Sequence, residues 1–300
     1  MRILKTIWGC PPGIFIGVYR YSIYVGFFFV CKKDRNVINK TMAMLKSRTL
    51  MNKEILICIS FLLLNTILLY NLIGGYMWND RLRKILSDDK IELLKNSKVL
   101  ILGIGGVGGG ALEALARIGI GTIILVDKDK VDVTNLNRQI ISLRNNIGKS
   151  KVLVAKERVL NINPDCNVIC IKEFINLDNI DLLFKYEPDF IIDCCDTVTT
   201  KIELIRKCLV RSTRFISCMG TGNKFHPELL EITDIKNTSY DPLARIIRNK
   251  FKDEKKKIMV VYSKEKSVHI KDRTPGSTSM VPPVAGFMCA SYVINSILEV

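Results

Sequence analysis

The feature that most constrains this chain is a glycine-rich turn between a short apolar run and an amphipathic segment. The run Val99–Leu102 leads directly into Gly103–Gly108 (GIGGVG), and ALEALARIG follows with the periodicity of a helix. A second apolar run, Thr122–Val126, ends at Asp127, 24 residues after Gly103. Strand, glycine turn, helix, strand and acidic residue in this order are typical of a nucleotide-binding βαβ unit.

In such a unit the glycines allow the backbone to approach a phosphate, and the helix N-terminus offers it unpaired N–H groups. Asp127, at the tip of the second strand, is placed to accept hydrogen bonds from ribose hydroxyls. A tight turn that only packs a helix on a sheet is the alternative interpretation. We expect four glycines to form the phosphate cradle: Gly103, Gly105, Gly106 and Gly108.

The segments that follow favour ATP cleavage over hydride transfer. TNLNRQ and GKSK come soon after Asp127, and the apolar run Phe190–Asp193 leads into CCDT. A nicotinamide pocket has no use for an arginine, a lysine and an aspartate that converge on phosphates. An enzyme that splits ATP needs all three, because arginine and lysine neutralise phosphate oxygens while a carboxylate holds a metal ion.

The motifs GxGGVG, VD, NLNRQ, GKxK and DxxD, in this order, resemble those of the ubiquitin-activating-enzyme-like adenylating superfamily. The resemblance runs from about Asn79 to the C-terminus. It implies that the glycine loop and Asp127 hold ATP, that Asn135 and two basic residues contact phosphates, and that Asp196 binds Mg2+. The candidate nucleotide site outside the glycines is therefore Asp127, Asp129, Asn135, Arg138, Gln139, Lys151, Asp196 and Thr197.

The same resemblance implies a homodimer in which an arginine before the first strand reaches the ATP of the partner subunit. Arg81 is the best match and Arg83 is its close rival, although a solvated helix charge is the alternative for either. The candidate catalytic residues are Arg81, Arg138, Lys151 and Asp196.

The cysteines distinguish among branches of this superfamily. The chain has ten cysteines but no CxxC motif, and neither the pair Cys166 and Cys170 nor the adjacent Cys194 and Cys195 has a spacing suited to zinc. Cys218 follows an apolar run, and we interpret it as a small buried residue rather than a nucleophile. Structural zinc and a thioester with a carrier protein are therefore both disfavoured.

The distal sequence has a resemblance of its own. EITDI at Glu231–Ile235, YDPLARIIR at Tyr240–Arg248, TPGS from Thr274 and VPPVAG from Val281 resemble the tRNA threonylcarbamoyladenosine dehydratase family. The resemblance implies that ATP activates the carboxylate of a threonylcarbamoyl group beside the anticodon of tRNA, which then closes into a ring with loss of water. The alternative is an adenylating enzyme for a ubiquitin-like or sulfur-carrier protein, and a sulfur-transfer partner remains a further candidate.

The charge of the chain favours a nucleic-acid partner. Lysine and arginine total 45 against 29 acidic residues, a formal net charge of +16, which attracts a phosphate backbone and makes binding salt-sensitive. Part of this excess lies at Arg245–Lys257. A helix over Leu243–Phe251 would place Arg245, Arg248 and Lys252 on one side. A solvated face is an equally good interpretation.

The first 78 residues differ in character from the rest. Ile55–Trp78 contains no charged residue and is long enough to cross a bilayer. We expect a transmembrane helix over 55–76 that anchors the protein in a membrane, with an organelle-targeting signal as the alternative. Cysteines without a disulfide-like framework and a need for ATP place the catalytic domain on a reducing, ATP-containing side.

Residues 79–300 predict one α/β domain with a doubly wound, mostly parallel, Rossmann-like sheet and its site at the carboxyl edge of the strands. A final helix is expected at Gly286–Leu298, and residues 252–279 include a long polar stretch without further assignment. The expected strands are Lys98–Leu102, Thr122–Val126, Val168–Ile171, Phe190–Asp193, Arg214–Cys218 and Met259–Ser263.

Overall fold

A computed structural model describes residues 78–268 and 274–299. The expected transmembrane helix at 55–76 lies outside these residues. The described residues belong to one compact unit that contains every candidate nucleotide-site residue.

The unit is built on one seven-stranded sheet with the order β3-β2-β1-β4-β5-β7-β6. All neighbouring strands are parallel except β6 and β7, which are antiparallel. The mostly parallel Rossmann-like sheet predicted from the sequence is confirmed. The strands are β1 Lys98–Leu102, β2 Thr122–Val126, β3 Asn167–Ile171, β4 Phe190–Asp193, β5 Arg214–Cys218, β6 Leu230–Asp234 and β7 Met259–Ser263.

Six α-helices surround this sheet within the described residues: α1 Asp88–Asn96, α2 Gly106–Ile118, α3 Lys151–Ile162, α4 Val198–Arg211, α5 Pro242–Lys250 and α6 Val281–Leu298. Helix α6 begins five residues before the predicted Gly286, because Pro282 and Pro283 lie in its first turn, where a missing N–H costs nothing.

The strand that the sequence did not predict is β6, at the edge of the sheet. Its residues after Leu230 are only half-buried, and it pairs with β7 so that Glu231 lies opposite Tyr262. Because the residues of β6 after Leu230 are partly exposed to solvent, the sequence LEITD lacks the continuous apolar run of the central strands.

Helix α6 packs closely against α2 in the main core. A Cβ on Gly286 would lie 1.9 Å from the Val107 carbonyl oxygen, so the two backbones are in contact. By length and composition, α6 is the one helix among the described residues that qualifies as a candidate membrane span. Half of that stretch is buried and Val281, Cys289 and Val293 belong to the core, as in the core helix of a soluble domain.

Candidate active site

The glycine loop connects the end of β1 to the start of α2. Gly103 has a left-handed backbone (φ +89°), and a Cβ there would lie 3.0 Å from the carbonyl oxygen of Cys194. A Cβ on Gly108 would lie 1.9 Å from the Gly103 carbonyl oxygen, so the loop folds back on its own helix. Gly105 precedes α2 without a side-chain cap. The first N–H groups of α2 can therefore bind an anion such as a phosphate.

Asp127 follows β2 and is tied to this loop. Its two carboxylate oxygens accept hydrogen bonds from the backbone N–H groups of Ile104 (2.7 Å) and Asp129 (2.8 Å). These bonds fix the orientation of the carboxylate at the tips of two adjacent strands. Each oxygen has a second lone pair, so the group remains able to accept hydrogen bonds from ribose hydroxyls.

Lys151 is the first residue of α3, and its side chain is almost fully buried. Its Nζ atom lies 3.1 Å from a carboxylate oxygen of Asp129, and its backbone N–H donates to the carbonyl of the same residue. Because an ammonium group has three donors, this contact positions Lys151 while leaving it able to contact a phosphate. Asp129 thus orients the lysine.

The loop TNLNRQ places three candidate residues beside the glycines. Asn135 is buried, and its side-chain oxygen accepts from the Asp132 N–H (3.0 Å), which orients its NH2 donor. Arg138 donates to the carbonyl of Thr134 (2.9 Å), and its Cγ lies 3.6 Å from the position of a Cβ on Gly106. The side chain of Arg138 therefore begins beside the phosphate-binding turn.

Gln139 is a buried site residue with a side-chain oxygen left unpaired by the described residues. Its side chain is buried, and its Oε1 atom has no hydrogen-bond partner within the described residues. Its Nε2 atom lies 3.8 Å from the position of a Cβ on Gly105. Since buried polar atoms are nearly always hydrogen-bonded, the amide fits beside a polar ligand held by the glycine loop.

Asp196 lies in the turn after β4, which a buried network holds in place. Asp193, the last residue of β4, accepts hydrogen bonds from Lys201 (2.7 Å), Ser217 (2.6 Å) and the Cys195 N–H (3.1 Å). The exposed Asp196 comes next, and Thr197 follows it at the start of α4. The network therefore directs Asp196 toward solvent at the edge that carries the glycine loop.

Lys201 is the functional-site residue that sequence reasoning missed. Burial by itself would lower the pKa of its ammonium group, but the Asp193 carboxylate raises that pKa above the ordinary value. In the sequence, Lys201 looks like an ordinary solvent-exposed lysine of a helix. The available signal was the aspartate at the end of the preceding strand, which needs a buried cation.

Among the described residues, no group of three or more His, Cys, Asp or Glu side chains is arranged so that it could hold a metal ion by itself. Mg2+ commonly takes one or two carboxylates and completes its coordination with phosphate oxygens and water. The single exposed carboxylate of Asp196 fits that arrangement.

The described cysteines are all free thiols. Cys218 is 3% exposed, which confirms its interpretation as a small buried residue. Burial raises the pKa of the Cys194 and Cys195 thiols well above the ordinary value, and it raises that of Cys208 to about 12. Because the thiolate is the nucleophile, protonated thiols of this kind are poor acceptors of an acyl group.

Arg81 and Arg83 differ in their surroundings. Arg83 forms an ion pair with Asp88 at the start of α1. Arg81 is exposed at the beginning of a single helical turn, Leu82–Lys84. Both arginines are exposed, and Arg83 is the one whose guanidinium is engaged in an ion pair.

The distal basic residues also divide into two groups. Arg248 donates to the carbonyl and hydroxyl oxygens of Thr238, at 2.8 and 2.6 Å, and it is half-buried. Arg245 and Lys252 are exposed. Helix α5 ends at Lys250, so Lys252 lies beyond it; Arg245 faces solvent from the helix, whereas Arg248 stabilises the turn before it.

The sheet, the glycine loop and the converging polar groups define an α/β domain of the nucleotide-binding class. Residues 79–300 match the ThiF family, and the chain therefore belongs to that family.

Two of its relatives are tRNA threonylcarbamoyladenosine dehydratases. The enzyme of Bacillus subtilis is 40% identical over 228 residues, which cover 70% of this chain and 90% of that protein. Structures of the Escherichia coli enzyme with AMP and with ATP match 72% of this chain and 92% of theirs, with a TM-score of 0.68 and 34% identity. The sulfur carrier protein ThiS adenylyltransferase of E. coli is 32% identical over 156 residues, half of this chain.

Proposed function

We propose that this protein uses ATP to dehydrate threonylcarbamoyladenosine in tRNA, closing the threonylcarbamoyl group into a ring. The observation that carries the proposal is the extent of similarity to the B. subtilis dehydratase, which reaches 90% of that protein. The similarity therefore includes the region beyond β5, whereas a shared glycine loop would indicate only nucleotide binding. A second support is the raised pKa of the Cys194, Cys195 and Cys208 thiols, which makes these three poor nucleophiles, because this reaction needs no thioester.

The first step is adenylation. A carboxylate oxygen of the threonylcarbamoyl group attacks the α-phosphorus of ATP, and the bond to pyrophosphate breaks. The N–H groups of the glycine loop and the cations Arg138 and Lys151 stabilise the charge that develops on the phosphates. Asp196 would hold Mg2+, which supplies further neutralisation of that charge.

The second step is ring closure. A nucleophilic atom within the same group attacks the activated carbonyl carbon and loses its proton, and AMP leaves with the former carboxylate oxygen. The sum of both steps is the loss of one water from the nucleoside, coupled to conversion of ATP into AMP and pyrophosphate.

Mass spectrometry of nucleosides tests this proposal. The purified full chain, with ATP, Mg2+ and tRNA carrying threonylcarbamoyladenosine, should produce a nucleoside lighter by one water. The control is the same reaction with Lys151→Ala. ATP turnover that requires a protein with a Gly-Gly tail, and not tRNA, would instead support the carrier-protein alternative.

We also propose a homodimer in which Arg81 serves the ATP site of the second subunit. A two-fold arrangement places the same exposed residue at both sites. Mixed dimers of Arg81→Ala and Lys151→Ala subunits should regain activity, because one of their two sites is intact. Absence of rescue despite demonstrated subunit exchange would refute the role of Arg81 in trans.

The N-terminal segment is proposed to anchor the protein in a membrane, with the catalytic domain on a reducing, ATP-containing side. The support is the uncharged run Ile55–Trp78. The full chain should remain in the membrane fraction through an alkaline carbonate wash. Recovery of the intact chain in the supernatant would contradict anchoring, and recovery of a shortened form would indicate a cleaved targeting signal.

A further inference from the structure

Three exposed side chains beyond the carboxyl ends of β5 and β7 have no role in ATP binding. Tyr240 is 65% exposed and Phe225 is 56% exposed, although large aromatic side chains are usually well buried. The ammonium group of Lys266 lies 5.0 Å from the centre of the Tyr240 ring. We call these three residues the aromatic platform.

Each member of the aromatic platform is the chain neighbour of a buried charged residue. The Nζ atom of Lys224 lies 3.2 Å from a carboxylate oxygen of Asp241, and both side chains are at most 1% exposed. The buried Glu265 carboxylate accepts a hydrogen bond from the Phe225 N–H at 3.0 Å. Since these contacts fix the backbone on either side, the exposed side chains project from a rigid base.

The backbone at Tyr240 is strained. Its φ angle is +58°, in the left-handed region that glycine or asparagine adopts more easily than a bulky residue. A hydrogen bond of 2.7 Å from the Asp241 N–H to the Ser239 carbonyl closes the turn around it. Strain of this kind is concentrated at functional sites, and here it presents an aromatic ring to solvent.

The aromatic platform lies at the same edge of the sheet as the glycine loop. The segment 274–280 connects the two regions: the Gly276 N–H donates to the Asn223 side chain at 2.6 Å, and the Asn137 side chain donates to the Ser277 carbonyl at 3.1 Å. Asn137 is next to Arg138, and Asn223 is two residues before Phe225. A molecule bound to the platform therefore approaches the edge where ATP is proposed to bind.

On the basis of the proposed function, we propose that the aromatic platform stacks on unpaired bases of the anticodon loop. Proteins recognise single-stranded RNA by stacking its bases on aromatic rings, and a nearby cation contacts the phosphates. Residues 78–300 contain 35 lysines and arginines against 27 acidic residues, and this positive excess complements such a partner. Tyr240 and Phe225 would supply the stacking surfaces and Lys266 the phosphate contact.

The test compares two substitutions of Tyr240 in the full chain. Tyr240→Asn removes the ring but suits the left-handed backbone, whereas Tyr240→Phe keeps the ring. With modified tRNA and saturating ATP, Tyr240→Asn should raise the KM for tRNA about 5- to 100-fold. Its kcat should stay within about twofold of wild type, and its KM for ATP and its melting temperature should be unchanged. Tyr240→Phe should behave as wild type.

Lys266 is tested against a lysine at the opposite edge of the sheet. Lys185 also lies over a tyrosine ring, with its Nζ 5.9 Å from the centre of the Tyr186 ring. The Tyr186 carbonyl accepts a hydrogen bond from the side chain of Lys98, the first residue of β1, which places this pair at the amino edge of the sheet. Lys266→Ala should reduce the salt dependence of tRNA binding by about one phosphate contact. Lys185→Ala should leave it unchanged.

The outcomes separate this inference from the proposed function. If wild-type protein cyclises the nucleoside while Tyr240→Asn has an unchanged KM for tRNA, the role of the aromatic platform in tRNA binding is refuted and the proposed function stands. If Tyr240→Asn weakens binding of a carrier protein but not of tRNA, the platform is a protein contact. If wild-type protein binds no tRNA, both proposals fail.

Discussion

The two halves of the sheet position their loops mainly through different kinds of contact. In the half formed by β3, β2 and β1, glycines allow backbones to touch: a Cβ on Gly108 or Gly121 would lie 1.9 or 1.6 Å from a carbonyl oxygen. In the half formed by β4, β5, β7 and β6, buried ion pairs connect the loops, with Lys201 bound to Asp193 and Lys224 to Asp241.

This difference corresponds to what each half must do. In the first half, main-chain N–H groups and a helix N-terminus are expected to bind phosphates together with Arg138 and Lys151, so close backbone packing of the glycine loop matters there. The second half must hold exposed side chains in a fixed direction, among them Asp196 and the aromatic platform. Buried ion pairs supply that rigidity, at a desolvation cost that glycine packing avoids.

Gly108→Ala should have the largest effect, because the added methyl group collides with the Gly103 carbonyl rather than with a flexible side chain. We expect loss of ATP binding, measured by calorimetry, together with lower thermal stability. The matched control is Gly109→Ala, whose Cβ would lie 3.1 Å from the Ile140 Cγ2 methyl group and 3.7 Å from the Ile140 backbone nitrogen, without a collision with a carbonyl oxygen. ATP binding by Gly108→Ala at wild-type affinity would refute close backbone packing as the basis of the first half.

Lys224→Met tests the second half. Removing one partner of a buried pair leaves an uncompensated charge and typically costs about 3–5 kcal/mol. We expect this loss in the free energy of unfolding, measured by urea denaturation. The control is Lys264→Met. It removes the solvent-exposed ion pair between Lys264, which follows β7, and Glu231 of β6, so the free energy of unfolding should change little. Equal effects of the two substitutions would contradict the role assigned to the buried pair.

Lys151→Ala and Asp196→Asn should reduce turnover without unfolding the protein. Loss of one preorganised group at a developing charge costs about 3 kcal/mol in transition-state stabilisation, or roughly 100-fold in rate. Asp196 is exposed, so its substitution should leave the melting temperature unchanged. Wild-type turnover by either variant, measured as AMP release with modified tRNA, would show that the phosphate or metal site is wrongly assigned.

Substitution of Glu113, in the first half, should have a smaller effect on the free energy of unfolding, and one that depends on pH. Burial would raise the pKa of its carboxyl, but hydrogen bonds from Arg158 and Arg117 outweigh it and lower the pKa below 4.5. The carboxylate therefore stabilises the fold above pH 4.5, and this contribution is lost as the pH falls through the lowered pKa. At neutral pH, Glu113→Gln should lose about 1.5–3 kcal/mol in the free energy of unfolding. A difference between Glu113→Gln and wild type that persisted in acid would contradict this cause.

The same comparison explains which parts of the structure could be predicted. All strands except β6, and also the turn at Gly103, were predicted from local patterns, because an apolar run or a glycine motif marks each of them in the sequence. Neither the buried Lys201 nor the edge strand β6 was predicted from the sequence. Lys201 depends on Asp193, Ser217 and the carbonyl of Cys218 on two neighbouring strands, and no local period records such contacts.

The stoichiometry of ATP use tests the central claim most directly. Wild-type protein is incubated with ATP, Mg2+ and tRNA carrying threonylcarbamoyladenosine, and AMP, pyrophosphate and dehydrated nucleoside are quantified together. Adenylation of the tRNA-borne carboxylate predicts one AMP and one pyrophosphate for each nucleoside that loses water, with none formed when the modification is absent. Release of ADP and phosphate, or formation of AMP that depends on a Gly-Gly-tailed protein instead of the modified tRNA, would contradict it.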